Sequence, residues 1–496
     1  MISVAESTPD TRLPPPLARR PIAAIALAVV AVLLAVSPWY GYHRDELYFR
    51  LLGERPRLGY FDTPPLTPMI ARASTAVFGD TVVALRIVPA LLAGLLVVLV
   101  ALLAREFGGD RTAQLLAAVG TAVGVFPLVA GHSLLTLTPD MTLWAAAALC
   151  LARVLLRGDG RYWIALGVIA GAATYNRHLI VMLLGGVGVG LLAAGPREVL
   201  RDRRLWLGAL LAIVIASPNL VYQVTHDWPQ LQMAEALRID EGADNRIAFV
   251  PLQLVLLGPP QAVLCVAGWI GLWRGRATRA FAIAYPLGCA LTLLSGGRPD
   301  YTVGFLLYLF AAGCVAAARW QRDRPLRRRT LAAALAVGAV TAIVTALPVI
   351  PAGSIGGTPV AEMNEVARES VGMHDLARQV GRVVDGLAAA ERAGAVLVAS
   401  NYGQAGALDR WAEEFGLPPV HSPHNELWWW GPPPESARTA VFVGVPPRAL
   451  AGAFADCSLA ATLDGLPGEE QGRPITVCRE PLRPWAGLWP DMRHYS

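Results

Sequence analysis

The sequence predicts an all-α polytopic membrane body followed by a small extracytoplasmic α/β domain at the C-terminal end. Three observations carry this reading. Of 496 residues, 54% are hydrophobic and only 16% are charged, where an ordinary soluble domain has about 25% charged. Apolar runs near membrane-spanning length, about 20 residues, recur between residues 21 and 350. The charge then changes sign: 31 arginines and 20 acids precede residue 351, whereas 11 arginines and 17 acids follow. A soluble core this apolar would lack polar surface to cover it. The same figures exclude a disordered chain.

Residues 1–20 form a cytoplasmic N-terminal tail containing Arg12, Arg19 and Arg20. The first apolar run, 21–39, has no small-residue cleavage site behind it and reads as a retained anchor. Ten more runs follow at 82–104, 113–131, 141–156, 162–175, 179–194, 205–224, 249–273, 280–295, 302–318 and 331–350. The expected count is about eleven spans, or ten to twelve depending on the short pair around Arg177. All 42 basic residues are arginine, a codon bias that points to a GC-rich bacterial source. Most of those before residue 351 fall in alternate connections (105–111, 153–161, 197–204, 274–279 and 319–329). The positive-inside rule places these connections in the cytoplasm. An odd number of spans then places 351–496 outside a bacterial plasma membrane.

The membrane body is thus 21–350, with a first outer loop at 40–81. That loop includes an amphipathic stretch, 64–77, suited to lie along the interface. A second polar outer loop covers 225–246. Beyond 350, a helix-like stretch (360–390) and β-rich runs at 395–399, 440–445 and 475–478 form the outer domain. Of six cysteines, Cys150, Cys265, Cys289 and Cys314 lie in spans, where the residue acts as a small hydrophobe. Cys457 and Cys478 share the outer domain, where a disulfide between them is expected. No CxxC or His-rich pair points to a metal centre. No phosphate-cradling glycine motif or nucleophile elbow points to nucleotide or acyl chemistry. A pI near 9.0 would raise nucleic acid as a partner, but the arginines sit between apolar runs, so the partner they mark is the bilayer.

The outer half of the body collects acids that a span would avoid. Asp45 and Glu46 follow the first run, with the aromatic Tyr48 and Phe49 behind them. Asp62 lies in Gly-Tyr-Phe-Asp-Thr-Pro-Pro-Leu, and Asp140 opens the fourth run after Thr138-Pro139. A carboxylate in hydrocarbon costs about 2.5–3.5 kcal/mol even on lenient insertion scales, so such residues tend to face a polar cavity. Asp140 reads equally as a helix-terminal carboxylate satisfying the dipole. Arg177 and His178 interrupt an apolar stretch near its outer end, and Arg298 occupies the outer turn Gly-Gly-Arg-Pro-Asp-Tyr. Outer arginines run against the topology rule. Each either snorkels to the interface or serves an anionic ligand such as a phosphate. The four acids could also hold a divalent ion, although no cofactor motif is present. Trp411, Trp428, Trp429, Trp430, Trp485 and Trp489 either stack on sugar faces or pack as core and interface.

The stretch Asp45-Glu46-Leu47-Tyr48 through Leu58-Gly59-Tyr60-Phe61-Asp62-Thr63-Pro64-Pro65-Leu66 resembles the first outer loop of integral-membrane glycosyltransferases of the family 39 and aminoarabinose-transferase type. Thr138-Pro139-Asp140 resembles their second acidic motif. Ser217-Pro218-Asn219-Leu220 with His226-Asp227-Trp228-Pro229 resembles the approach to a later outer loop. Asn401 to Ala407 and Trp429-Trp430-Gly431-Pro432-Pro433 are similar to the outer tail of bacterial members. The resemblance implies the glycosyltransferase C fold, a polyprenyl-phosphate sugar donor and an extracytoplasmic acceptor. It implies Asp45, with Glu46 beside it, as catalytic base or acceptor-orienting group. Tyr48, Asp62, Asp140, Arg177, His178 and Arg298 are then the expected substrate-binding residues. Relatives often carry Lys where this chain has Arg177-His178.

A carboxylate can take the acceptor's proton, and a departing phosphate already carries charge that cations can stabilise. A single displacement inverts the anomeric centre. The main rival from another class is a transporter or flippase for a lipid-linked or anionic solute. Against it, the runs show no internal repeat and no matching pair of interrupted helices. A third reading, an envelope scaffold or sensor, predicts that Asp45 and Glu46 are dispensable.

Overall fold

The computed structural model describes residues 14–465 and 468–495. Most of the expected N-terminal tail, including Arg12, and the final serine lie outside the described residues. All eleven apolar runs are helical, but they differ in how far they reach. Six helices are long and apolar enough to cross a bilayer: Arg19–Val36, Val82–Glu106, Leu137–Arg157, Arg203–Thr225, Pro299–Gln321 and Pro325–Ala346. Two further runs break into bent pairs, Arg111–Ala122 with Val125–His132 (55°) and Gly242–Val255 with Pro259–Arg274 (90°). Three are short: Arg161–Ala173, Ile180–Ala194 and Arg279–Ser295. At about 1.5 Å per residue, their 13, 15 and 17 residues fall short of a hydrocarbon layer about 30 Å thick. By length and composition, six helices of the described residues are long and apolar enough to span, or up to eight if each bent pair is one span.

One apolar core holds the body together. Trp144, 1% exposed, packs edge-on against Phe305 at 5.0 Å between ring centres. Helices Pro259–Arg274 and Val303–Gln321 cross where neither has a side chain. A Cβ on Gly268 would sit 1.9 Å from the Leu309 carbonyl, and one on Gly313 would sit 1.9 Å from that of Leu264. Small residues at membrane helix crossings allow this backbone approach. On the end opposite Asp45, Glu106 is buried and answers three arginines, Arg153 at 3.2 Å, Arg157 at 2.5 Å and Arg105 at 3.8 Å. The expected amphipathic stretch is the helix Leu66–Phe78. The expected polar loop at 225–246 is largely the helix Pro229–Asp240 and the start of Gly242–Val255.

The C-terminal domain is built on a five-stranded sheet of β1 (Ala395–Ala399), β2 (Val420–His421), β3 (Thr439–Val443), β4 (Phe454–Thr462) and β5 (Pro474–Pro481), in the order β2-β1-β3-β5-β4. β1 runs parallel to β2 and β3, while β5 is antiparallel to β3 and β4. Both β1 and β3 are buried along their whole length, as apolar strands covered on two faces should be. Successive side chains alternate between faces. Val396, Val398 and Phe442 join Trp485 and Leu488 on one side. Leu397, Ala399, Val441 and Val443 join the other, whose core continues into Leu47, Tyr48, Phe49, Leu51 and Leu52 of the first outer loop. The C-terminal domain and the helix carrying Asp45 therefore share one core. Cys457 and Cys478, opposite each other on β4 and β5, form a disulfide.

Candidate functional site

The segment after the first apolar helix turns into the helix Arg44–Glu54 through a capping box. The His43 ring accepts the Asp45 N–H through Nδ1 (3.1 Å), and Glu46 returns a carboxylate oxygen to the His43 N–H (2.9 Å). Accepting at Nδ1 places the ring proton on Nε2, which donates to Glu369 at 2.9 Å. Glu369 also takes Arg44 at 2.9 Å. Burial alone would raise the Glu369 carboxyl. The bond from His43 and the charge of Arg44 instead hold it down at about 2. Glu369 thus pins the start of this helix to the chain leading into the outer domain.

Asp45 and Glu46 are neighbours with opposite surroundings. Glu46 is 0% exposed and fully engaged. Arg86 grips it with Nε at 2.9 Å and Nη2 at 2.8 Å, and the Leu134 N–H adds a bond at 2.9 Å. Arg86, itself 1% exposed, also donates to the carbonyls of Ser37 and Gly41, each at 2.6 Å. This pair bolts the first helix's exit, the first outer loop and the 132–134 turn together. Asp45 is partly buried. Its Oδ1 accepts the Tyr402 hydroxyl at 2.8 Å. No described residue hydrogen-bonds its Oδ2.

Asp62 stands on the far side of a pair of tyrosines. Tyr48 donates to its Oδ1 at 2.8 Å, and the Asn425 amide to Oδ2 at 3.3 Å. The rings of Tyr48 and Tyr402 stack at 4.5 Å. The two carboxylates therefore bracket two phenols, each phenol donating to one acid. Burial pushes the Asp62 carboxyl up to about 7, against the lowering effect of the Tyr48 bond. Glu426 holds the same loop by accepting the Phe61 N–H (2.8 Å) and Arg57 (3.1 Å).

The helix bearing Tyr402, Tyr402–Arg410, is capped by Asn401, whose side chain accepts the Gln404 N–H at 2.8 Å. It lies hard against Arg44–Glu54. A Cβ on Gly406 would meet the Leu47 backbone at 2.8 Å, and one on Gly403 would meet Arg44 Cβ at 2.7 Å. Those two glycines set the approach that lets Tyr402 reach Asp45.

The remaining predicted residues form a second cluster. Asp140 is buried in the first turn of Leu137–Arg157, and no described residue bonds its Oδ1. Arg177 donates to the Thr136 hydroxyl (2.9 Å) and pairs with Asp300 (3.3 Å). Arg298 pairs with Asp300 and Glu365, each at 3.7 Å. His178 bonds Asn219 at 3.0 Å, and Asn219 donates to the Leu58 carbonyl at 3.1 Å. The turn 174–179 is stitched to the first loop by Leu66 N–H to Tyr175 O (2.7 Å) and by Thr67 to Asn176 (2.8 Å). The clusters are thus neighbours across the first loop. Nowhere among the described residues do three His, Cys, Asp or Glu side chains gather closely enough to share a metal ion.

Reading the residues alone missed Arg86, Tyr402, Asn425 and Glu426. A lone arginine inside an otherwise apolar run was the available signal for Arg86. Tyr402 lies in a stretch noticed only for its resemblance.

The family model described as dolichyl-phosphate-mannose-protein mannosyltransferase matches residues 62–222. The solved structure of ArnT from Cupriavidus metallidurans in the apo state superposes with a TM-score of 0.59, covering 92% of this chain and 96% of that one at 17% identity. The chain has the fold of this solved structure. ArnT from the same organism bound to undecaprenyl phosphate matches with a TM-score of 0.56 at 17% identity, covering 92% and 97% of the two chains. The arabinofuranosyltransferase AftD from Mycobacteria matches at 0.52 and 15% identity, over 94% of this chain and 40% of that one. In sequence, the undecaprenyl phosphate-α-4-amino-4-deoxy-L-arabinose arabinosyl transferase 1 of Pseudomonas fluorescens is 29% identical over 271 residues. That alignment takes in 50% of this chain and spans about half of the relative, 48%.

Proposed function

We propose that this chain is an inverting glycosyltransferase. It moves a sugar from a polyprenyl-phosphate carrier to a glycolipid, cell-wall polymer or protein acceptor outside the cytoplasm. The observation that carries the reading is the contrast within the first loop: Glu46 has its oxygens occupied by Arg86 and backbone N–H groups, while Asp45 keeps Oδ2 without a hydrogen-bond partner among the described residues. Asp45 is the base. Its Oδ2 takes the proton of the attacking hydroxyl or amine, the new bond forms at the anomeric carbon, and the carrier phosphate leaves with the electron pair of the old one. Arg177 and Arg298, converging on Asp300, supply positive charge for that phosphate. Tyr48, Asp62, Asp140 and His178 are the remaining substrate-binding residues of this reading. The Pseudomonas relative is named for an undecaprenyl-phosphate sugar, and the Cupriavidus structure contains undecaprenyl phosphate; both support a lipid-linked donor. Eleven membrane passages, an N-terminus in the cytoplasm and an outer C-terminal domain in a bacterial plasma membrane complete the reading. The arginine-rich alternate connections support that topology.

The test uses the reconstituted full chain, a panel of undecaprenyl-phosphate sugars and an envelope extract as acceptor source. Asp45→Asn is expected to lose transfer by about 10²–10⁴-fold, the usual scale of a general base, while staying folded. Glu46→Gln is expected to fail differently, by lowered stability, because it strands a buried arginine at a cost of about 3–5 kcal/mol. Undiminished transfer by Asp45→Asn would overturn the mechanism. Donor moved across the bilayer without a transfer product would establish a transporter instead.

A further inference from the structure

We propose that Tyr402, contributed by the outer domain, is a positioning residue that holds Asp45 by Oδ1 and reserves Oδ2 for the acceptor's proton. This rests on the reading of Asp45 as the base. A carboxylate free to rotate offers either oxygen, and only one orientation places a lone pair on the incoming proton. The Tyr402 hydroxyl, 2.8 Å from Oδ1, removes that freedom. The phenol cannot swing away to release it. Its ring stacks with Tyr48 at 4.5 Å and with His424 at 5.1 Å, the latter only 7° from parallel. His424 stacks in turn on His494 at 4.8 Å. The Arg44 guanidinium lies 4.6 Å from the Tyr402 ring centre, and the Tyr402 N–H is tied to His424 Nδ1 at 3.1 Å.

The proton balance is simple. The acceptor's proton moves to Asp45 Oδ2, and Tyr402 keeps its own. Burial and the neighbouring Asp45 charge both raise the Tyr402 hydroxyl well above its ordinary value, so the phenol is a standing donor. Small misplacements of a reacting group cost about 10²-fold in rate, which sets the scale of the effect. On this view the outer domain is a working part of the site, because it delivers the group that orients the base.

Tyr402→Phe keeps the ring stack and removes only the hydroxyl. A readout free of substrate is carbodiimide-driven amide labelling of the reconstituted full chain, followed at the Asp45 peptide by mass spectrometry. With both oxygens released, Asp45 in Tyr402→Phe is expected to label several-fold faster than in the wild type; equal rates would overturn the proposal. In turnover of an undecaprenyl-phosphate sugar, kcat is expected to fall about 10–100-fold with KM little changed. The double variant with Asp45→Asn is expected to be no slower than Asp45→Asn alone. Full kcat in Tyr402→Phe beside an inactive Asp45→Asn would sink the positioning role and leave the base standing. An active Asp45→Asn would remove both.

Discussion

Two adjacent acids show how little a residue's identity says about its task. Asp45 and Glu46 sit one position apart on a helix, about 100° around its axis. That rotation turns Glu46 inward onto Arg86 and leaves Asp45 partly open beside Tyr402. The pattern of acids was readable in the sequence; the division of labour was not, because it depends on Arg86 arriving from another helix. Asp62 offers a test at the same scale. Its folded carboxyl lies at about 7, above the ordinary 3.8, chiefly through burial. The unfolded chain therefore ionises first, and wild-type stability falls as pH rises between those two values. Asp62→Asn carries no such penalty. Its melting temperature is expected to gain on the wild type as pH rises from about 4 to about 7. A difference that stays constant with pH would show that Asp62 is not buried as an acid.

At the scale of elements, the site depends on two helices from opposite ends of the chain meeting face to face. Arg44–Glu54 was visible as a motif. Tyr402–Arg410 was visible only as a resemblance, since its packing partner lies more than 350 residues away and no periodicity links them. The physical trace was present all the same: glycines three residues apart, at 403 and 406, clear one helix face. Two strands escaped notice for a related reason. β4 is an edge strand, mostly exposed, and its Ser-Leu-Ala-Ala composition lacks the β-branched residues that mark strands. β2 is only two residues long. The contact at Gly406 gives a direct test. The Cβ of Gly406→Ala would fall 2.8 Å from the Leu47 backbone, where neither side yields cheaply. Overpacking of this kind costs about 1–3 kcal/mol. Gly406→Ala is therefore expected to lower the thermal midpoint and to slow transfer. A neutral Gly406→Ala would show that the two helices are not held at this distance.

At the scale of the molecule, every apolar run of the body proved helical because apolar runs are a local property of the chain, whereas the polar helices Arg44–Glu54 and Pro229–Asp240 gave no such signal. The number of bilayer crossings is not local. A run of 13 to 17 residues crosses only if neighbours or a thinned bilayer meet it halfway, and a 90° break can turn a crossing into a re-entrant pair. Arginine placement is the independent handle on sidedness, and it makes an assignment that chemistry can check. Ala390 is exposed on the outer domain, and the Arg276 side chain, 74% exposed, lies in one of the arginine-rich connections. Among the natural cysteines, Cys150, Cys265 and Cys314 are buried, and Cys457 and Cys478 are bonded to each other, which leaves little background for a thiol label. In intact spheroplasts, a membrane-impermeant maleimide is expected to modify Ala390→Cys at once and Arg276→Cys only after permeabilisation. The reverse pattern would invert the protein in the membrane and place Asp45 on the cytoplasmic side. Labelling of both sites in intact cells would require an even number of crossings between residues 276 and 390. In the expected topology that number is odd, and only then does the outer domain sit on the face where Tyr402 can meet Asp45.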